Sequence, residues 1–160
     1  MSTSPADLTD AARARLVMAY EACELAELAR AAVPVGAAEP GTVLADAAHV
    51  LVAAQRFFEA AAVFERLAGA GWQLIGDTTG VPAQTARNRF AAAEIRLREE
   101  LSGHRTPRHA GDDSWCRAHA IREPAEAALD LDDWVRRHED GENLGATPVS
   151  DGLSKIDDPG

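Results

Sequence analysis

Residues 71–90 read GWQLIGDTTGVPAQTARNRF and carry the strongest local signal in the chain. Apolar residues flank a central glycine, Gly80, and a proline follows two positions later. Glycine adopts the left-handed backbone that a tight turn requires, and proline is tolerated in the first turn of a helix. The pattern therefore predicts a short helix, a glycine turn and a second helix.

The spacing within this stretch meets the packing demands of a helix-turn-helix. Such a unit needs apolar anchors in both helices, a small residue where they cross and a glycine in the turn. These demands are met by Trp72, Ile75, Gly76, Gly80, Val81, Ala86 and Phe90. A tight bend between two packed helices, with no DNA involved, remains the alternative.

The second helix of this unit, predicted over 82–90, would lie in the major groove of DNA. Its exposed face then offers base-reading side chains, because Gln and Asn pair with adenine and Arg pairs with guanine. The predicted readers are Ala83, Gln84, Arg87 and Asn88, and the predicted phosphate contacts are Gln73, Thr85, Arg89 and Arg96. The alternative for each is a solvated helix surface, with Arg89 paired to Glu94 or Asp77.

The segment FERLAGAGWQLIGDTTGVPAQTARNRF resembles the small helix-turn-helix DNA-binding proteins common in actinobacteria, and the resemblance covers about 44–100. It implies a DNA-reading unit preceded by a long alanine-rich helix. Thr79 stands where that family usually has leucine, which implies a less firmly held short helix. Pro82 stands where it usually has a serine or threonine cap, so the capping hydroxyl and a phosphate contact are lost.

Composition favours an all-α fold. Apolar residues make up 46% of the chain but aromatic ones only 5%, so small aliphatic side chains, above all alanine, must build the core. Alanine has the highest helix propensity. The expected architecture is a hairpin of two long helices, the helix-turn-helix, short C-terminal helices and a disordered acidic tail. The expected domains are an N-terminal helix and linker for packing or dimerisation (1–42), the helix-turn-helix domain with the second long helix (43–102), a linker with the short C-terminal helices (103–140) and the tail (141–160).

The first two helices, expected near 5–33 and 43–68, carry regular apolar stripes. In the second helix Val43, Val50, Phe57 and Phe64 share one heptad position and alternate with Ala47, Ala54, Ala61 and Ala68. Large residues alternating with alanine let a partner helix approach closely. A second stripe through Leu44, Leu51 and Phe58 predicts burial on a wide face, with more than one neighbour. The alanine-rich helices also predict a homodimer.

The net charge of -10 is unevenly distributed. Residues 71–110 carry six arginines against four acids, which is +2, whereas 1–70 carry -4 and 111–160 carry -8. Screening confines charge effects to about 8 Å in physiological salt. The local positive segment therefore keeps DNA binding compatible with an acidic chain, although non-specific affinity should be low.

Other candidate sites have weaker patterns. The group His104, His109, Cys116 and His119 matches no common zinc spacing, and Asp130, Asp132 and Asp133 lie where a helix start favours acids anyway. Trp115 and Trp134 should dock the C-terminal helices on the core or anchor a partner. We expect no catalytic site, no metal and no cofactor.

The favoured function is a sequence-specific DNA-binding protein, acting as a homodimeric transcriptional regulator. The alternative is a helical adaptor that binds a protein partner, with a phage or plasmid DNA-handling subunit as a third possibility. Two distant cysteines, Cys23 and Cys116, and the absence of an apolar leader predict a reduced, cytoplasmic protein. No apolar run approaches the ~20 residues of a membrane span, so no membrane is expected.

Overall fold

The computed structural model describes residues 8–103, 113–138 and 145–154. Within these ranges the chain forms helices and no strand, which confirms the all-α fold class. The helices are α1 (Asp10–Ala31), α2 (Thr42–Leu67), α3 (Trp72–Thr79), α4 (Ala83–Leu101), α5 (Asp113–Arg122), α6 (Pro124–His138) and α7 (Pro148–Ser154).

α1 begins five residues later than the sequence predicted. Thr9 has extended backbone angles, and its Oγ1 accepts a hydrogen bond from the Ala12 amide at 3.2 Å. A threonine in this position satisfies one of the amide groups that a helix start leaves without a partner. The N-cap is therefore Thr9, and the Ser4-Pro5 start expected from the sequence lies outside the described residues.

α1 and α2 pack side by side in opposite directions. Arg56 of α2 forms ion pairs with Glu21 and Glu24 of α1. Val63, further along α2, shares the core with Leu16, which lies earlier in α1. The main core lies between this pair and helices α4, α5, α6 and α7. Its larger buried members are Leu16, Val17, Val63, Leu97, Leu101, Ile121, Leu131 and Leu153.

The expected burial of α2 on a wide face is wrong for its N-terminal half. Val43, Leu44, Leu51 and Val52 are between 48% and 75% exposed. α4 reaches α2 only beyond this region, through the ion pairs Glu59–Arg96 and Arg66–Glu94. Within the described residues, the first half of α2 therefore leaves these apolar side chains uncovered, while the second half does contact several neighbours, as expected.

α2 is also long enough and apolar enough, by length and composition, to cross a membrane, and it is the one such helix in the described ranges. Only 17% of its most apolar window is buried. Core helices of soluble proteins can meet the same criterion. Three charged side chains of its second half, Arg56, Glu59 and Arg66, form ion pairs with α1 and α4.

The two short C-terminal helices expected from the sequence are present as α5 and α6, and both pack on α1. The tail beyond residue 141, expected to be disordered, instead contains α7. The buried carboxylate of Asp132 accepts hydrogen bonds from the Val149 amide at 2.6 Å and the Ser150 amide at 3.1 Å. Leu153 is buried in the main core, so this carboxylate and one apolar anchor together hold α7 in place.

The acidic group of Asp130, Asp132 and Asp133 is divided among three structural contacts. Asp132 binds the start of α7, Asp130 lies 3.2 Å from Nε2 of His119, and Asp133 pairs with Arg136 and Arg137. Of the residues considered as zinc ligands, His104 and His109 lie outside the described residues. Where the structure describes the chain, no group of three His, Cys, Asp or Glu side chains could hold a metal ion.

Candidate nucleic-acid interface

The unit formed by α3, the turn at residues 80–82 and α4 is called the α3–α4 unit below. Gly80 ends α3 in the left-handed conformation, with φ of 72°. The Val81 amide then donates to the Gly76 carbonyl oxygen at 2.9 Å, which closes the turn against α3. A residue with a Cβ is strained at this φ, so glycine suits the position.

Gly76 lies where the start of α4 crosses α3. A Cβ added at this residue would lie 2.6 Å from the Val81 carbonyl oxygen and 3.0 Å from the Ala83 nitrogen. Both neighbours are backbone atoms, so they cannot rotate away as a side chain could. The close approach of the two helices therefore depends on the absence of a side chain at Gly76.

A small second core fixes α4 against α3 and α2. Its buried members are Ala62, Ile75, Ala86 and Phe90. Phe90 is 2% exposed and meets the Phe58 ring edge-on, with centroids 5.4 Å apart. This geometry is favourable for aromatic pairs. The scaffold residues identified from the sequence thus pack together, with Trp72 and Val81 half-buried at the margin of the cluster.

Glu94 braces α4 against α2. One of its oxygens accepts from Arg66 Nε at 3.0 Å, and the other accepts from Arg98 Nη2 at 3.0 Å. Burial raises the pKa of Glu94, but the hydrogen bonds from Arg66 and Arg98 outweigh burial and hold the pKa below its usual range. The carboxylate is therefore charged at neutral pH. Arg66 also donates to the Ala70 carbonyl and lies 4.3 Å from the Trp72 ring.

The face of α4 opposite this core is exposed over its first two turns. Gln84, Thr85, Arg87 and Asn88 are all exposed, and Ala83 is half-buried. The Gln84 amide nitrogen donates to the Asn88 side-chain oxygen at 2.9 Å. Arg87 forms no ion pair with any residue that the structure describes. Three predicted readers therefore lie together on one accessible surface, which we call the α4 face.

The predicted phosphate contacts have different surroundings. Arg89 is exposed but lies over the Phe58 ring at 4.8 Å and the Phe90 ring at 5.2 Å, so its expected alternative pairing with Glu94 or Asp77 is wrong. Arg96 is paired with Glu59 at 3.2 Å. Gln73 donates to Asp77 at 2.8 Å. Thr85 has an exposed side chain beside Gln84.

The start of α4 has no side-chain cap. Pro82 is the N-cap residue, and its side chain forms no capping hydrogen bond. This agrees with the loss of the capping hydroxyl inferred from the sequence. The amide groups of the first turn carry partial positive charge. From Gly71 to Ala93 the chain holds Arg87 and Arg89 against Asp77, so the formal charge around the α4 face is +1.

Two features were not found by sequence reasoning. The Glu94 brace joins residues 28 positions apart, and only its Glu94–Arg98 half has a sequence signal, the four-residue spacing of a helical ion pair. Trp115 was expected either to dock on the core or to anchor a partner; it is 64% exposed, so docking is not observed, and the partner alternative stays a prediction. Trp134, by contrast, is half-buried and contacts Glu27 of α1.

No protein-family model, curated protein or solved structure matches this chain.

Proposed function

We propose that the chain is a sequence-specific, double-stranded DNA-binding protein of the helix-turn-helix type that acts as a transcriptional regulator. The observation that carries the proposal is the α4 face: Arg87, Gln84 and Asn88 are exposed together at the N-terminal end of a helix whose opposite side is buried. Arg pairs with guanine, and Gln or Asn pairs with adenine, in the major groove. The N-terminal part of a reading helix is the part that reaches base edges.

The lack of an ion pair at Arg87 supports this proposal. An arginine already paired with a carboxylate must break that pair before it binds a base, whereas Arg87 has no such cost within the described residues. The Gln84–Asn88 hydrogen bond also orders two side chains on adjacent turns. Because Arg96 and Gln73 already have protein partners, they should contribute less to phosphate contact than Thr85, Arg89 and the α4 amides.

Arg87→Ala tests the proposal directly. A lost bidentate contact to guanine costs about 1–3 kcal/mol, so we expect the dissociation constant for a selected DNA site to rise between about fivefold and about 150-fold. Fluorescence anisotropy, with a site selected from random duplex DNA and at two salt concentrations, would measure this change. Base preference at one position should also relax.

The matched control is Arg122→Ala on α5. Arg122 is exposed and, like Arg87, has no ion pair within the described residues, so both substitutions remove the same charge. Affinity should be unchanged in this variant. Equal losses in the two variants would show that only overall charge matters. Absence of binding at low salt would contradict DNA binding altogether and favour the adaptor.

We further propose that the protein is a homodimer and that the exposed N-terminal half of α2 is its interface. Val43, Leu44, Leu51 and Val52 form an apolar strip beside Val33 and Val35 in the preceding loop, and all are at least 48% exposed. Burial of such a strip against a second copy removes it from water. A two-fold dimer would read a palindromic site with half-sites about 10 base pairs apart.

Replacing both Leu44 and Leu51 with lysine should convert the dimer to a monomer. Each leucine contributes at least about 1.5 kcal/mol when it is buried, so the double substitution should weaken dimerisation at least about a hundredfold. Sedimentation equilibrium would measure this change. The control is the double variant Ile95→Lys, Leu129→Lys, in which both residues are 57–58% exposed on other helices. A wild-type monomer at micromolar concentration would contradict the dimer.

The second candidate function is a helical adaptor for a protein partner. The observation that favours it is the exposed indole of Trp115 on a segment, 111–160, with a charge of -8. Tryptophan is common among residues that dominate protein interfaces. A phage or plasmid DNA-handling subunit would bind DNA through the same α4 face. We propose a cytoplasmic location, without membrane insertion, because DNA binding requires access to the chromosome.

A further inference from the structure

A cavity of about 450 Å³ lies between α1, α5 and α6, away from the α4 face. Aromatic rings and carboxylates dominate its lining: Tyr20, Trp115 and Trp134 supply the rings, and Glu24, Glu27 and Asp130 supply the carboxylates. The volume falls in the range typical of small-molecule sites. Nothing in the proposed DNA-binding role uses this cavity.

The rings of the cavity are held in place by neighbouring groups. Trp134 stacks on His138 with centroids 4.1 Å apart, and its indole nitrogen donates to Glu27. Trp115 stacks on His119 at 4.9 Å with nearly parallel planes. The Tyr20 hydroxyl donates to the Ala127 carbonyl at 3.4 Å. The histidines cover one face of each indole and leave the other without a stacking partner among the described residues.

The cavity is also electronegative. Its lining carries three carboxylates and one cation, Arg137, which gives -2. Counting the direct ion-pair partners of these groups reduces the sum to -1: the acids are Glu24, Glu27, Asp130 and Asp133, and the cations are Arg30, Arg56 and Arg137. His119 and His138 are uncharged in this count.

The thiol and phenol in the cavity respond to the same environment. Burial, and then the charge of Glu27, raises the pKa of Cys23 to about 11. Burial, and then the charge of Asp130, raises the pKa of the Tyr20 hydroxyl. Both groups are therefore neutral at pH 7 and add no negative charge to that of the carboxylates.

We propose that this cavity binds an organic cation of the quaternary ammonium class. Such a cation is attracted by the faces of indole and phenol rings and needs no hydrogen-bond acceptor. This matters because each lining carboxylate already has a partner: Glu24 binds Arg56, Glu27 binds Arg30 and His138, and Asp130 binds His119. A primary amine would have to compete for these oxygens. A quaternary ammonium ion instead contacts the ring faces and is attracted by the net negative charge of the lining.

Trp115 is the residue through which the proposal is best tested. It is 64% exposed, so its substitution should leave the fold intact. Cation–π contacts contribute about 0.5–2 kcal/mol, and Trp115→Leu removes the ring but keeps an apolar side chain. We therefore expect the dissociation constant for a quaternary ammonium probe to rise between about twofold and thirtyfold.

The experiment titrates the full chain with choline and, in parallel, with its uncharged isostere, in which a carbon atom replaces the ammonium nitrogen. Isothermal calorimetry and tryptophan fluorescence report binding, and circular dichroism checks the fold of each variant. Saturable choline binding, weaker binding of the isostere and weakening by Trp115→Leu but not by Leu129→Ala are the expected results. Leu129 is an exposed α6 residue outside the cavity lining.

Three results would overturn the proposal. The first is a failure of choline to saturate the protein at any concentration that leaves it folded. The second is binding of the isostere as tight as that of choline, and the third is wild-type choline affinity in Trp115→Leu. The second result would identify an apolar cavity without cation preference. The titration contains no DNA, so its outcome is independent of the proposed DNA binding.

Discussion

Phe90→Ala should lower the free energy of unfolding by about 3–5 kcal/mol, the cost typical of truncating a buried phenylalanine. Phe90 is 2% exposed and is the largest buried side chain in the second core. Its removal leaves a cavity between α2 and α4 and deletes the edge-on contact with Phe58. Denaturant unfolding, followed by circular dichroism, would measure the loss.

The matched control for this substitution is Ile95→Ala on the same helix. Ile95 is 57% exposed, so its truncation should change stability by no more than about 0.5 kcal/mol. Comparable losses of unfolding free energy in the two variants would mean that Phe90 does not lie on the buried side of α4. Arg89 also lies over Phe90, so the Phe90 variant should lose order at Arg89 and bind DNA more weakly.

The α3–α4 unit was predictable from sequence because its requirements are local. Gly76, Gly80, Ala86 and Phe90 lie within fifteen residues of one another, and each position has a steric reason that depends on its near neighbours. Backbone conformation at Gly80 and side-chain size at Gly76 are properties of single residues. Helix period then places Ala86 and Phe90 on one face, four residues apart.

The extent of α2 burial was not predictable in the same way. Heptads extend through the whole helix, but a stripe shows only which side is apolar and not whether a partner covers it. α2 spans about 39 Å at 1.5 Å per residue, and its ion pairs with α4 lie in its second half. Coverage depends on the lengths and crossing positions of other helices, which no local pattern contains. The exposed strip from Val43 to Val52 follows from this.

The docking of α7 and the arrangement around Trp115 were missed for a related reason. The segment near residue 150 has few apolar residues, so its composition indicated disorder. Its order depends on the buried carboxylate of Asp132, 17 positions earlier, which accepts from two amides of α7. Likewise, the cavity beside Trp115 is lined by α1 residues such as Tyr20, nearly 100 positions earlier in the chain. Composition does not predict which distant residues come into contact.

Gly76→Ala provides the sharpest test of the α3–α4 crossing, because two physical effects predict opposite signs. Alanine is favoured over glycine inside a helix by about 1 kcal/mol, so propensity alone predicts stabilisation. The added Cβ would lie 2.6 Å from the Val81 carbonyl oxygen, and forcing backbone apart in a packed site costs about 3 kcal/mol. Because the steric cost exceeds the gain in helix propensity, we expect the free energy of unfolding to fall by about 2 kcal/mol.

Gly71→Ala is the control, since a Cβ at Gly71 meets nothing within 4 Å and its φ of -77° suits any residue. At this N-cap position glycine is preferred to alanine, so the change should cost about 0.5–1 kcal/mol, less than the loss expected for Gly76→Ala. Thermal unfolding of the two variants would show whether Gly76→Ala is the more destabilising substitution. A Gly76→Ala protein as stable as wild type would show that the backbone at Val81 does not approach Gly76 this closely. The methyl group added at Gly76 would also displace α4 from α3. DNA affinity should therefore fall in Gly76→Ala and remain unchanged in Gly71→Ala.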